Sequence, residues 1–133
     1  MQQYQSGQRS AKTRKGAGMH STPRFLQGVF AFEGRGIDQP FPIGGALSYT
    51  VPDGVTAQAV YFRGGNTTAE LVYLVLMRDG RPMRYFPVGA KASVHVPFRI
   101  VEDLDSGTVL ELYLAAPEGV AGAVVVDLGL VEA

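Results

Sequence analysis

The chain has 133 residues, of which 46% are hydrophobic and 18% charged, with no cysteine and a formal net charge of zero. This composition predicts one soluble domain large enough to sustain a core, and it excludes disulfides and thiolate metal sites. No apolar run approaches the ~20 residues of a membrane span, and the opening stretch lacks the apolar segment of a secretory signal. We therefore expect a cytoplasmic protein, or part of a phage-like particle, that is not secreted by a classical signal and has no membrane partner.

The balanced charge conceals a division along the chain. Residues 1–24 contain no acid, whereas the remaining residues contain seven basic and twelve acidic side chains, a net charge of −5. The first segment is also poor in large apolar residues, which predicts a flexible basic arm (residues 1–24) before a folded domain (residues 25–133). Its basic side chains are Arg9, Lys12, Arg14, Lys15 and Arg24.

Three interpretations of the arm remain open. If Met19 is the true start, residues 1–18 are an upstream extension. The arm can instead order against a partner subunit with an acidic surface, as the body of this chain has. Contact with nucleic acid is a third interpretation, but Tyr4 is the only aromatic residue available for stacking, so we do not expect a nucleic-acid partner.

From residue 25 onward the hydrophobic period is 2, which is typical of β-strands. The segment from Ala92 to Ile100 is the clearest case, because Ala92, Val94, Val96, Phe98 and Ile100 project to one side. No segment has helical periodicity. Eight strands are predicted, at residues 25–32, 46–51, 57–62, 70–77, 83–88, 92–100, 108–114 and 123–131.

The connections carry turn residues. Asp79-Gly80 predicts a two-residue hairpin between two apolar runs. Pro52-Asp53-Gly54 and Pro117-Glu118-Gly119 are typical of turns that need a glycine in the left-handed region. Asn66-Thr67-Thr68 fits the N-glycosylation pattern, but we interpret it as a polar loop. Short strands with regular turns predict an all-β protein, a single antiparallel β-sandwich of the jelly-roll type.

Two of the strands are apolar on both alternating faces, at residues 71–77 and 123–131. A strand with one face in water is polar at every second position, so something must cover their outer faces. Either residues 25–41 fold over them within one subunit, or they lie in a subunit interface. The residues assigned to such an interface are Val72, Leu74, Leu76, Val124, Val126 and Leu128.

Catalytic apparatus is scarce. The chain has two histidines, His20 in the arm and His95 on the polar side of a strand, and no cysteine nucleophile. Ser93 lies beside His95 in one strand, and we do not expect the two to form a nucleophile and base pair. The acidic stretch 102–107 begins like a calcium loop, yet Leu114 occupies the position of its bidentate glutamate. We therefore expect no enzyme activity, cofactor or bound metal.

Arginines flank the predicted Asp79-Gly80 hairpin and form a basic cluster with Lys91 of the next loop. The arginines are Arg78, Arg81 and Arg84. The cluster either guards a strand edge against aggregation or binds an acidic partner, a carboxylate or a glycan. A sandwich that binds a small ligand or carbohydrate would use Tyr61, Arg63, Arg84 and Tyr85. The full candidate surface for a ligand or partner comprises Tyr61, Arg63, Arg78, Arg81, Arg84, Tyr85 and Lys91.

Three segments, residues 59–66 (AVYFRGGN), 84–91 (RYFPVGAK) and 122–130 (GAVVVDLGL), carry a resemblance to a known group. Together they resemble short stand-alone bacterial β proteins named as molybdopterin oxidoreductases or assimilatory nitrate reductases. The resemblance covers about residues 46–133 and implies a molybdenum cofactor enzyme, although the large cofactor domains and a cysteine ligand are missing. It therefore implies either an accessory protein of a molybdenum-dependent nitrate reductase system or a misnamed relative of these proteins, and no catalytic residue is carried over.

The sequence as a whole favours a non-enzymatic sandwich that acts by contact. Our hypothesis is a structural or protein-interaction module that forms a homo-oligomer or joins a larger protein assembly, with the basic arm as a strap. The alternatives are the ligand-binding or carbohydrate-binding sandwich and the accessory protein.

Overall fold

The computed structural model describes residues 21–133. Within them the chain forms nine β-strands and one turn of 3₁₀ helix, and the expectation of an all-β domain is confirmed. The strands are β1 (Thr22–Glu33), β2 (Gly36–Pro42), β3 (Ser48–Thr50), β4 (Ala57–Asn66), β5 (Val72–Arg78), β6 (Arg81–Val88), β7 (Ser93–Pro97), β8 (Val109–Ala116) and β9 (Ala121–Glu132). The 3₁₀ turn spans Gly45–Leu47.

The strands form two antiparallel sheets. Sheet A has the order β1-β9-β4-β7, and sheet B has the order β2-β8-β5-β6. All connections except the β5–β6 hairpin and the one from β2 to β3 pass from one sheet to the other, which is the connectivity of a jelly roll. The short β3 pairs with β8 below β2, so β2 and β3 together form one interrupted edge of sheet B.

Strand β2 is absent from the eight predicted strands. Its sequence contains Pro40 and Pro42, which cannot donate to a ladder and therefore weaken the pattern of a strand. Prolines are tolerated here because β2 is an edge strand, and its register with β8 shifts between Gly36 and Phe41.

The inner faces of the two sheets form the core. The ring of Phe62 from sheet A stacks on that of Phe86 from sheet B, with centroids 4.1 Å apart, and Phe98 stacks beyond Phe86. Within the described chain, the residues assigned from sequence to a subunit interface are all in this core, not at the surface. This corrects their assignment: Val72, Leu74, Leu76, Val124, Val126 and Leu128 are covered by the opposite sheet.

The outer face of β5 is covered by side chains of the flanking strands. Val75 points outward and is nevertheless buried. In register it lies between Tyr85 of β6 and Tyr113 of β8, whose rings stand on the same face. Residues 25–41 do not supply this cover, because β1 and β2 extend the two sheets at their edges.

Two other expectations change in detail. The predicted strand 92–100 is shorter, because β7 ends at Pro97, and Ile100 lies in a loop with 75% of its surface exposed. The sandwich also begins earlier than residue 25, since Thr22 pairs with Glu132 and Arg24 forms an ion pair with Glu132 at 3.4 Å.

The predicted turns are confirmed. Asp79 and Gly80 have φ angles of 50° and 80°, as a primed two-residue hairpin requires, and Arg78 pairs with Arg81 across it. Gly54 and Gly119 close the two Pro-containing turns, each with φ of 79°. Within residues 21–133, no helix has the length and apolar character needed to cross a membrane.

Candidate interaction surface

The outward side of sheet A carries both apolar and charged residues. We call it the outer A face, and it is defined by residues that alternate with the core positions of its four strands. Its members are Phe25, Gln27, Val29 and Ala31 of β1, Ala123, Val125 and Asp127 of β9, Tyr61, Arg63 and Gly65 of β4, and Ser93 and His95 of β7.

Three large apolar side chains on this face are exposed. Phe25, Val29 and Val125 leave 51%, 69% and 46% of their surface open to solvent. Val29 and Val125 are directly opposite each other in the β1–β9 ladder, so they form one continuous apolar strip. Nothing in the described part of the chain covers this strip.

A polar network occupies the centre of the face. Asp127, whose side chain is 17% exposed, accepts a hydrogen bond from the Tyr61 hydroxyl at 3.0 Å and one from Arg63 Nη2 at 2.8 Å. The two donors bind different carboxylate oxygens. The charge of Asp127 is therefore balanced by Arg63, and each of its oxygens accepts a hydrogen bond from the protein. Adjacent register positions on β4 and β9 bring the three residues together.

The network also fixes its own protonation. Burial raises the pKa of Tyr61, and the hydrogen bond to Asp127 and the charge of that carboxylate raise it further. The hydrogen bond to Asp127 and the attraction of its charge raise the pKa of Arg63. The phenol therefore remains a donor and the guanidinium remains charged throughout the physiological range.

Tyr61 is held in a defined position. Its ring lies over Gly129 of β9, and a Cβ added at Gly129 would overlap the ring. The ring of His95 meets that of Tyr61 edge-on at 6.2 Å, and the Arg63 guanidinium lies 5.7 Å from the Tyr61 ring centroid. Tyr61 thus has Gly129, His95 and Arg63 as its neighbours on this face.

Beside this network the face is hollow. Gly65 has no side chain opposite Val125, and Ser93 is the next residue across the sheet. The resulting depression is bounded by Arg63, His95 and Val125. A single side chain of a partner can enter it.

The ligand or partner surface predicted from sequence does not form one site. Tyr61 and Arg63 lie on the outer A face, whereas Tyr85 stands on the opposite side of the molecule, on the outside of sheet B. Arg78 and Arg81 flank the hairpin at one end of the sandwich, and Lys91 lies in the β6–β7 loop at the other end. The four residues proposed for carbohydrate binding therefore cannot contact one ligand together.

Arg84 is not part of a free basic patch. It pairs with Leu76, whose side chain is in the core, and its guanidinium forms an ion pair with the carboxylate of Glu102 in the β7–β8 loop. Its Nη1 also donates to the Met83 carbonyl at 3.0 Å. Arg84 thus links β6 to the loop between β7 and β8.

Other predicted features can be located. His95 is exposed on the outer A face, and the described residues contain no group of three or more His, Asp or Glu side chains arranged to hold a metal. The arm residues Arg9, Lys12, Arg14 and Lys15 lie outside the described residues.

Sequence reasoning missed Phe25, Val29, Val125 and Asp127 as surface residues. The signal was present in β9, where Ala123, Val125 and Val131 alternate with the core positions and only Asp127 is polar. The sequence of one strand does not show which of its two faces points to the core. The residues that face the core were therefore assigned to the interface.

No protein-family model and no curated protein matches this chain.

Proposed function

We propose that this protein is a non-enzymatic assembly module that associates with a second copy of itself through the outer A face. The observation that carries the proposal is the exposed strip formed by Val29 of β1 and Val125 of β9. Phe25 of β1 is exposed on the same face. Burial of one such valine contributes about 1.5–3 kcal/mol.

The polar centre is suited to burial. An unpaired charge in an interface is costly, but Asp127 already has two donors within its own chain. Tyrosine and arginine are also the residue types that most often dominate binding energy at the centre of an interface. Tyr61 and Arg63 occupy that central position here.

Charge favours a second copy as the partner. The central charges of the outer A face, Arg63 and Asp127, cancel each other, so two copies of this face do not repel. Two sheets can pack face to face at a spacing of about 10 Å, with their exposed side chains interdigitating. The hollow at Gly65 offers space for a side chain of the other copy.

The basic arm adds a second attraction. The first twenty residues carry four basic side chains and no acid, and the other 113 residues carry a net charge of −4. The first strand begins at Thr22, which pairs with Glu132. The neighbouring residue Ala133 is bound to Thr56 through both its N–H and its carbonyl. In an assembly the arm acts as a strap that binds an acidic surface of the neighbouring subunit.

The direct test is the mass of the particle in solution for matched surface variants. Val125→Glu places a charge in the centre of the strip and should weaken self-association tenfold or more, by about 1.4 kcal/mol at least. The control is Ile100→Glu, which changes an exposed apolar residue of the β7–β8 loop and should leave the mass unchanged. Equal masses for the two variants and the unmodified chain would contradict the proposed face.

A second candidate function is supported by the tyrosines outside sheet B. Tyr85 is 60% exposed, and its ring is tilted against that of Tyr73 with centroids 5.8 Å apart. Tyr113 stands on the same face, two positions from the carboxylate of Glu111. Aromatic rings beside a carboxylate are suited to bind a sugar ring, and Tyr85→Ala should abolish retention of any glycan found on an array.

The accessory role implied by the resemblance uses the outer A face with a different partner. In that case the face binds a molybdenum enzyme instead of a second copy. A stoichiometric complex with such an enzyme, lost in Val125→Glu and kept in Ile100→Glu, would favour this alternative.

A further inference from the structure

The two sheets end in four strand edges, and three of them are guarded. Strand β7 has only five residues and ends in Pro97. Strand β6 contains Pro82 and Pro87, and Arg84 directs a charge inward along it. Short length, prolines and inward charges are the usual means by which proteins prevent pairing at an edge.

The third guarded edge is that of β2 and β3. It contains Pro40 and Pro42, its register with β8 is irregular, and the 3₁₀ turn Gly45–Leu47 interrupts it. A second chain cannot form a regular ladder along such an edge.

Beyond Pro23 and Arg24 at its start, strand β1 has none of these guards. Its twelve residues pair with β9 in one unbroken register, and its only proline is Pro23, the second residue. Within residues 21–133, β1 has no hydrogen-bonded neighbour strand on its other side. A long, regular and apolar strand edge is a template for pairing with another chain.

The positions of the free backbone groups follow from the ladder. The N–H of Gly34 donates to the carbonyl of Val120 at 2.7 Å, which continues the β1–β9 register. Because bonded and non-bonded pairs alternate in an antiparallel ladder, the even residues of β1 bond to β9. Phe25, Gln27, Val29 and Ala31 therefore direct their N–H and carbonyl groups to the free edge.

We propose that the free edge of β1 pairs antiparallel with β1 of a second copy and joins two A sheets into one sheet of eight strands. The partner is a second copy because the matching unguarded edge on another molecule is again β1. Two identical strands related by a two-fold axis use up each other's edge, so pairing stops at two chains. The joined sheet also unites two outer A faces into one apolar surface.

This inference deepens the proposed function and rests on its premise of self-association, but the contact is separate. The proposed face uses side chains of β1, β9 and β4, whereas the edge uses only backbone groups of β1. A variant can therefore remove one contact and keep the other.

The experiment replaces a free-edge N–H. Gln27→Pro removes one donor from the edge without removing a bond to β9, and Gln27→Thr changes the same side chain but keeps the N–H. We expect the proline variant to halve the particle mass measured by native mass spectrometry, and the threonine variant to retain it. Ala31→Pro is a second variant of the same kind, and thermal unfolding confirms that each chain remains folded.

Amide hydrogen exchange gives an independent measure on the full chain. If β1 pairs with a second copy, the amides of Phe25, Gln27 and Val29 are protected in the assembly and lose that protection on dilution to single chains. Unchanged mass in both folded proline variants, with unprotected amides at these positions, would overturn the inference. If Val125→Glu still lowers the mass in that case, the proposed face stands and only the edge contact fails. A single-chain particle for the unmodified protein would contradict both.

Discussion

The ring of Tyr61 occupies the space in which a side chain at position 129 would lie. The two residues are opposite each other on β4 and β9, and Gly129 is buried although it points outward. The absence of a side chain at 129 thus allows Tyr61 to lie flat on the sheet and reach Asp127.

Gly129→Ala should therefore destabilise the fold by about 1–3 kcal/mol, because its Cβ displaces the tyrosine ring. Gly65→Ala is the matched control, since a Cβ there meets Val125 at an ordinary distance of 3.7 Å. Chemical denaturation measures both. A Gly129→Ala variant as stable as Gly65→Ala would show that the ring has room to move.

Asn66 should be essential for stability. It is buried, and its Nδ2 donates to the carbonyls of Glu70, Val88 and Gly89, while its Oδ1 accepts from the N–H and hydroxyl of Thr68. Asn66→Ala leaves these groups unsatisfied and should cost about 2–4 kcal/mol. Thr67→Ala is a neighbouring control with smaller loss, since Thr67 is exposed. A loss below that of the control would contradict this role of Asn66.

We expect the free energy of unfolding to decline at alkaline pH, and we expect Tyr49 to contribute to that decline. Its hydroxyl donates to buried Glu132 at 2.5 Å, and burial, this bond and the carboxylate charge raise the pKa of Tyr49 well above its ordinary value of 10. The unfolded chain then loses its proton first, so the free energy of unfolding is retained below pH ~10 and falls as the pH rises further. Tyr49→Phe should lower stability at pH 7 and flatten the decline. An unchanged slope above pH ~10 in that variant would show that other groups cause it.

The arm should contribute to assembly through charge. A chain beginning at Met19 lacks Arg9, Lys12, Arg14 and Lys15, and we expect it to associate more weakly at low salt, with the difference disappearing as salt screens the attraction. Replacing the four residues by glutamine in the full chain separates charge from length. If both forms associate like the unmodified protein at low salt, the strap does not exist.

Local chemistry made much of the fold predictable. Asp79-Gly80 determines its hairpin through two adjacent residues with positive φ, and the alternation of polar and apolar residues along β7 needs no information from elsewhere in the chain. Strand β2 was missed because Pro40 and Pro42 are compatible with a strand only at an edge, and which strands are edges depends on the whole topology.

Which side chains are covered outside the core was less predictable for the same reason. Val75 is buried on its outer side by Tyr85 and Tyr113, which are 10 and 38 positions away and reach it only through the register of three strands. Asn66 belongs to a segment that the sequence predicted to be a polar loop. Its burial could not be predicted, since it depends on the carbonyls of Glu70, Val88 and Gly89, which the fold brings to it. Alternation predicts that a strand has two faces, but the pairing of strands decides which face is covered.

Native mass spectrometry of the full chain at micromolar concentration tests the central claim most directly. Self-association predicts particles whose mass is a multiple of the 14.2 kDa of one chain, with Val125→Glu shifting the population toward single chains. A protein that remains a single 14.2 kDa chain at every concentration would contradict it.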